Sequence, residues 1–294
     1  MKTVFRKEMA DHFSSIRVFI MFLLTLFISG LALFAAYQGI RGTGSGGFVF
    51  LRLFTTQIPD FPFAFLLIFG NFNALFFIPI IGIILGFDSI NSEQSGRTLS
   101  RILSQPIFRD SVINGKFLAS IATLSIMIVI SVLLISGFGL RLIGVPPSSE
   151  EIIRLFLYLV LAIIYGGFWV GLAMLFSVLF RSTATSILFS LFVWIIFSFG
   201  VFIVALAVPA QTSSLLLQFS PNWLFALASG VLMQPQLGAG IVLELVSSTI
   251  QPNPLSLGQS LLLVWPHLTL LVSITLICFA ISYIVFMKRE IRST

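Results

Sequence analysis

The sequence predicts an all-α polytopic membrane protein, and three observations carry that prediction. The chain is 58% hydrophobic and only 9% charged, with a mean hydropathy of +1.11, whereas a soluble domain carries roughly a quarter charged residues. Six apolar stretches, 16–37, 61–87, 117–140, 152–180, 184–208 and 261–287, reach the roughly 20 residues needed to cross a hydrocarbon core about 30 Å thick. The basic residues at the ends of those stretches are distributed unequally. With the N-terminus inside, Lys2, Arg6, Lys7, Arg17, Arg97, Arg101, Arg109, Lys116, Arg181, Lys288, Arg289 and Arg292 fall on the cytoplasmic side, against Arg41, Arg52, Arg141 and Arg154 outside. Lys and Arg near span ends resist translocation, so both termini are expected in the cytoplasm, with an even number of spans.

Taken in order, residues 1–294 read as one transmembrane domain. Residues 1–15 place Phe5, Met9, Phe13 and Ile16 on one helical face and Lys2, Lys7, Glu8 and Asp11 on the other. That pattern describes an amphipathic interfacial helix leading into the first span. The segment mixes charge signs and the first apolar run is long without a small-residue cleavage site, so this span is expected to be retained. Residues 88–116 form a polar cytoplasmic loop between spans two and three. The region 209–260 is external. Its stretch 213–233 is apolar but interrupted by Pro221 and Gly230, and it is expected to be re-entrant rather than a seventh span. Trp223 suits an interfacial position there.

Several chemistries are set aside by the residues themselves. The net charge of +6 is scattered among span ends, not gathered on one face as nucleic-acid binding requires; these cations read as topology anchors and contacts to anionic membrane lipid. Cys278 has no companion for a disulfide or metal site, and His12 and His267 lie too far apart to share one; His267 reads as a hydrogen-bonded helix residue. The run 42–47 is rich in glycine but lacks the Lys-Ser/Thr ending of a phosphate loop. Glu150, Glu151 and Arg154 resemble a carboxylate pair, yet helix-end solvation and one ion pair account for them without metal chemistry. Catalytic, metal-binding and cofactor-binding residues are therefore expected to be absent from the chain.

The loop carries the pattern that points to function. Asn91 is placed to cap a helix with Gln94 three residues on, and Pro106 to end it, giving a helix over 91–105. Leu99, Ile102 and Leu103 would form its apolar stripe, with Arg97, Arg101 and Ser104 facing a partner. Phe87-Asp88-Ser89-Ile90, Glu93, Gly96, Thr98-Leu99, Leu103-Ser104-Gln105-Pro106-Ile107, Arg109 and Gly115-Lys116-Phe117 resemble the cytoplasmic loop of type-2 ABC exporter permeases. The similarity is greatest to the branch containing the permease of nitrous-oxide-reductase copper-site maturation. The chain departs from that pattern where Arg97 separates Gly96 from Thr98.

The resemblance implies six spans, a coupling helix between the second and third, an N-terminal connecting helix and external re-entrant helices before the sixth. It also implies a separate ABC ATPase subunit, which would carry the ATP and magnesium, and pairing with a second permease, either another copy of this chain or a related one, in a prokaryotic plasma membrane. The ATPase-coupling candidates are Glu93, Arg97, Thr98, Arg101, Ser104, Pro106 and Arg109. Within the spans, Asn71 and Asn73 lie in the second, and Ser186, Ser190, Trp194 and Ser198 recur every fourth residue in the fifth. Because the resemblance implies that these two spans line the translocation path, the six are its candidates; interhelical hydrogen bonding is the competing reading. Gly82 with Gly86 and Gly167 with Gly171 have close-packing spacing. The expected function is an ATP-driven exporter permease. The alternative is an ATPase-independent scaffold or channel.

Overall fold

The central element of the molecule is a 31-residue helix that most of the others pack around. The computed structural model describes residues 1–42, 48–55, 72–95, 108–235 and 255–288. In chain order the helices are α1 (Lys2–Ser14), α2 (Ile16–Gly42), α3 (Phe72–Gly86), α4 (Asn91–Ser95), α5 (Arg109–Ile143), α6 (Ser149–Leu179), α7 (Thr183–Ile195), α8 (Val201–Ala207), α9 (Ala210–Gln218), α10 (Pro221–Met233) and α11 (Leu257–Lys288). A 3-10 turn covers Leu51–Phe54, and a π-helical segment, Ile196–Gly200, joins α7 to α8. Among the described residues six helical segments are long and apolar enough to cross a membrane, the number expected; residues 61–71 of the second expected stretch lie outside the described residues. No strand occurs among the described residues.

Burial ranks the spans. In the most apolar window of α6, 67% of residues are buried, against 17% for both Thr183–Gly200 and α11, so α6 is the core and the other two present most of their surface outward. Small residues let the helices close on α6. A side chain added at Gly86 would lie 2.7 Å from the Val170 carbonyl oxygen, and one at Gly82 2.9 Å from Trp169 Cβ. This is the close approach that small residues permit between membrane helices. Gly167 and Gly171 sit more loosely, with no neighbour nearer than 3.7 Å. Tyr165 stacks on Phe225 of α10 at 4.3 Å, and Phe117 on Phe279 of α11 at 4.1 Å.

The helix ends follow local sequence. Ser148 and Glu151 form a capping box at α6, each bonding the other's backbone N–H. Gly144, at φ 73°, closes α5 in the left-handed conformation that glycine adopts without penalty. The apolar segment 213–233 is broken at Pro221, as expected: α9 ends at Gln218, and Pro221 opens α10 at its first position, with Ser220 as the cap. Proline belongs there because its missing N–H is one the helix would leave unpaired anyway. Gly230 is accommodated inside α10 in open space. Trp223 is buried in the core rather than exposed at a surface.

Candidate functional site

One end of the bundle gathers α1, the turn after α3, α4, the start of α5, and the ends of α6 and α11. Ile90, Ile113, Met174, Val178 and Phe286 form an apolar plug there, and Val4 of α1 lies against Gly115, two residues from Ile113, so the N-terminal helix and the last turns of α11 sit at the same end. Above the plug, charge collects. Lys116 Nζ donates to Glu93 Oε1 at 2.8 Å and to Glu8 Oε1 at 3.0 Å, with its side chain only 4% exposed. Lys7 Nζ lies 3.2 Å from Glu8, 3.4 Å from Asp11 and 3.7 Å from Glu93. Arg17 pairs with Asp88 at 2.5 Å, its guanidinium 6.0 Å from the Phe87 ring. These groups border an open cleft of about 540 Å³.

The expected faces of α1 are corrected by this packing. Glu8 was placed on the solvent face, yet it turns inward to Lys116, and Val4 is buried beside it. The reason is Gly115: a side chain there would come within 2.9 Å of Val4 Cγ1, so its absence lets α1 lie against α5 along the Val4–Glu8–His12 line. Phe13 and Ile16, on the expected apolar face, are exposed. A buried ammonium must be paired, and the pairing outweighs the solvation that α1's own pattern would favour for Glu8.

Charge shifts follow. Burial pushes the Glu8 carboxyl up, but Lys116 and Lys7 overcome it and hold the group below its ordinary value. Burial likewise lowers the Lys7 ammonium, while Glu8, Glu93 and Asp11 more than offset this and leave it raised. His12 is lowered: burial dominates, with Glu8 and Asp88 pulling the other way.

Of the ATPase-coupling candidates, Glu93 and Arg109 fall among the described residues. Glu93 is turned to Lys116, and Arg109 opens α5. Arg97, Thr98, Arg101, Ser104 and Pro106 lie outside the described residues, as does most of the expected helix 91–105. Its described turn, α4, begins at Asn91, but the Asn91 side chain is no cap. It is fully buried, with neither polar atom hydrogen-bonded. The Ser177 hydroxyl of α6 takes over, accepting from the N–H groups of Ile90 and Asn91 at 3.0 and 3.2 Å.

Of the translocation candidates, Ser186, Trp194 and Ser198 meet residues outside α7 and the π-helical segment. Ser186 donates to the Phe87 carbonyl at 2.8 Å, Ser190 donates back to Ser186 within α7, and Ser198 accepts from Asn222 at 2.7 Å. Asn222 in turn accepts from the Tyr165 hydroxyl at 2.8 Å. Ser220 donates to the Phe197 carbonyl, a group in the π-helical segment, where the regular α-helical bonding pattern is broken. Trp194 meets Phe76 edge-on at 5.7 Å. Asn73 belongs to the first turn of α3, and Asn71 lies outside the described residues. Sequence reasoning missed Lys116, Glu8 and Asn222 as site residues, although Lys116 stood in the loop pattern and a lysine at the start of an apolar span is a visible signal.

At the opposite end the expected ion pair is present, Arg154 with Glu150 at 2.8 Å, but the expected solvation is not. Glu151 and Arg154 are not solvated helix-end residues. Arg154 is fully buried, bonded to Glu150, to Ser260 Oγ at 2.9 Å and to the carbonyls of Leu255 and Leu232, while Glu151 accepts from Phe50 N–H. The Arg154 guanidinium also lies 5.6 Å from the Phe48 ring. The elements on either side of 236–254 converge on this guanidinium, so it cannot reach water. His267 keeps its expected role, with Nδ1 2.9 Å from the Leu263 carbonyl oxygen. No group of three His, Cys, Asp or Glu side chains among the described residues is placed to hold a metal.

Six apolar helical segments with a charged junction at one end define a multi-pass membrane protein. The chain belongs to the ABC-2 family of transporters: the family model described as ABC-2 family transporter protein matches residues 2–291. It is 27% identical over 156 residues to a probable ABC transporter permease protein NosY of Pseudomonas aeruginosa, covering 52% of this chain and 49% of that protein. It is 24% identical over 147 residues to the protein of the same name from Stutzerimonas stutzeri, covering 50% and 46%. The chain thus spans about half the length of the curated relatives it matches.

Proposed function

We propose that this chain is the permease subunit of an ATP-driven ABC transporter, working as an exporter and energised by a separate ATPase that docks on residues 88–116. The carrying observation is the junction at Lys116, where the loop, α1 and α5 meet in paired charge; a loop so fastened can deliver an external push to the spans. Family membership and the NosY-like relatives support the same reading. The ATP and magnesium belong to the partner. Two permease copies face each other in a prokaryotic plasma membrane, with both termini cytoplasmic, α1 at the inner leaflet and α10 re-entrant from outside. Ser186, Ser190, Trp194 and Ser198, with Asn71 and Asn73, border the path between copies.

A nucleotide shifts a conformational equilibrium only through differential affinity for the two states. The loop therefore engages closed and open ATPases in different geometries. The test is purification from the native membrane in mild detergent, with co-purifying subunits identified and their ATP hydrolysis measured. A stoichiometric ATPase that is lost on deleting 91–105, and weakened or uncoupled by Arg97→Glu or Arg101→Glu, is the expected result. A preparation that retains other complexes but no ATPase overturns the reading in favour of a scaffold or channel.

A further inference from the structure

We propose that Lys116 is a positioning residue that makes α1 and α4, the described turn of the docking loop, move as one unit, a role that rests on the ATPase-driven reading above. Lys116 belongs to α5, but its two partners belong to neither α5 nor each other's element: Glu8 comes from α1 and Glu93 from α4. A single ammonium thus joins three parts of the chain separated by 108 and 23 residues. At 4% exposure it has little water to fall back on, and a buried cation stripped of a partner is costly. Displacing α4 from α5 would leave the ammonium with Glu8 alone, and displacing α1 would leave it with Glu93 alone. The arrangement favours moving all three together.

The surrounding contacts give the unit a fulcrum. Gly115, one residue before the pin, admits Val4 of α1 directly against the α5 backbone. A second link between α1 and α4 exists, Lys7 to Glu93, but it is longer at 3.7 Å and its lysine is half-exposed, where solvent weakens an ion pair. The hydrogen-bonded tethers of 87–95 from Ser177 to the Ile90 and Asn91 N–H groups, from Ser186 to the Phe87 carbonyl and from Arg17 to Asp88 run to α6, α7 and α2. Lys116 is therefore a buried, doubly ion-paired link between α4 and α1, and α1 follows the ATPase through it.

The test uses the full complex in lipid nanodiscs, with the ATPase either nucleotide-free or trapped with ATP, magnesium and orthovanadate. Hydrogen exchange is followed by mass spectrometry over residues 2–14 and 87–95 in wild type, Lys116→Met and Lys116→Arg. In wild type both segments should change protection on trapping. In Lys116→Met, which keeps the side chain's length without its charge, residues 87–95 should still respond while the response of 2–14 is lost, and Lys116→Arg should restore it. An α1 response that survives Lys116→Met, or a wild-type α1 that ignores trapping while 87–95 responds, overturns the proposal. If no ATPase associates with wild type, the ATPase reading fails instead, and the permease alone decides for the pin. Exchange of 2–14 about tenfold faster in Lys116→Met, the size of one charged hydrogen bond, and restored in Lys116→Arg, then keeps it; unchanged exchange removes it.

Discussion

Lys116 and Arg154 are the two buried cations among the described residues, and the two ends of the bundle hold them by opposite means. Lys116 is a point charge on two carboxylates that belong to other elements and border an open cleft. Arg154 spreads its donors over one carboxylate of its own helix, a serine hydroxyl and two backbone carbonyls, one ending α10 and the other preceding α11. Guanidinium stays protonated at any physiological pH and its planar fork bridges several acceptors at once. Neutral acceptors also offer nothing for protonation to remove. The Arg154 end is thus an anchor binding α6, α10 and α11 together, whereas the Lys116 end is a junction whose strength depends on charge.

The largest effect that would break this contrast comes from Arg154→Met. Removing the guanidinium leaves the Leu255 and Leu232 carbonyls and Ser260 without their donor in a sealed site, which should cost about 3–5 kcal/mol, as for other buried charged partners. The readout is a marked drop in the thermal unfolding midpoint in detergent. Arg154→Lys should recover little of it, because one ammonium cannot reach the same spread of acceptors. An unchanged midpoint in Arg154→Met would mean that this end is not the anchor.

A smaller and more local effect is expected from Glu8→Gln. The neutral amide keeps the shape but loses the charged bond to Lys116, worth about 1.5–3 kcal/mol. Because Glu93 remains on the lysine, the loss should appear as opening of α1 alone, seen as faster tryptic cleavage at Arg6 and Lys7. The global unfolding midpoint should hardly move, since stability is not uniform across a structure. A global drop equal to that of Arg154→Met would erase the distinction between junction and anchor.

What the sequence disclosed about these two ends differs for a physical reason. The six spans were legible because apolar length alone decides what can cross a bilayer, and Gly82 and Gly86 were legible as contacts because small residues four apart share a face. Their tightness was not legible: Gly86 and Gly171 look alike in sequence, yet a side chain at Gly86 would meet the Val170 carbonyl oxygen at 2.7 Å, whereas one at Gly171 would meet nothing nearer than 3.7 Å. Helix periodicity also put Glu8 on a polar face correctly in one sense, but could not say that the polar face meets a lysine 108 residues away. Arg154 was misread for the same reason, since its bond to Ser260 spans 106 residues. Local pattern gives the direction of a side chain; what waits there is decided by tertiary packing.

The smallest effect, and the most selective, is the response to acid. Glu8 and His12 both sit below their ordinary values of 4.5 and 6.5 when α1 is docked, so released α1 binds protons more readily than docked α1. Linkage then makes docking strengthen with pH and weaken as pH falls. The loss begins below about 6.5 as His12 charges on release, and deepens below about 4.5 as Glu8 does. Lys7 is raised above 10.5, so its contribution is complete below that value and fades only as pH climbs through the higher docked value. Between about 7 and 10 the junction should be insensitive. A nitroxide on Thr3→Cys in a Cys278→Ser background should therefore become more mobile as pH falls from 7 to 4, and more so in 1 M salt, where the screening length shrinks to about 3 Å. The same label on Val145→Cys, beyond α5 at the anchored end, should not follow. Equal mobility changes at both positions would show that acid loosens the whole bundle rather than the junction.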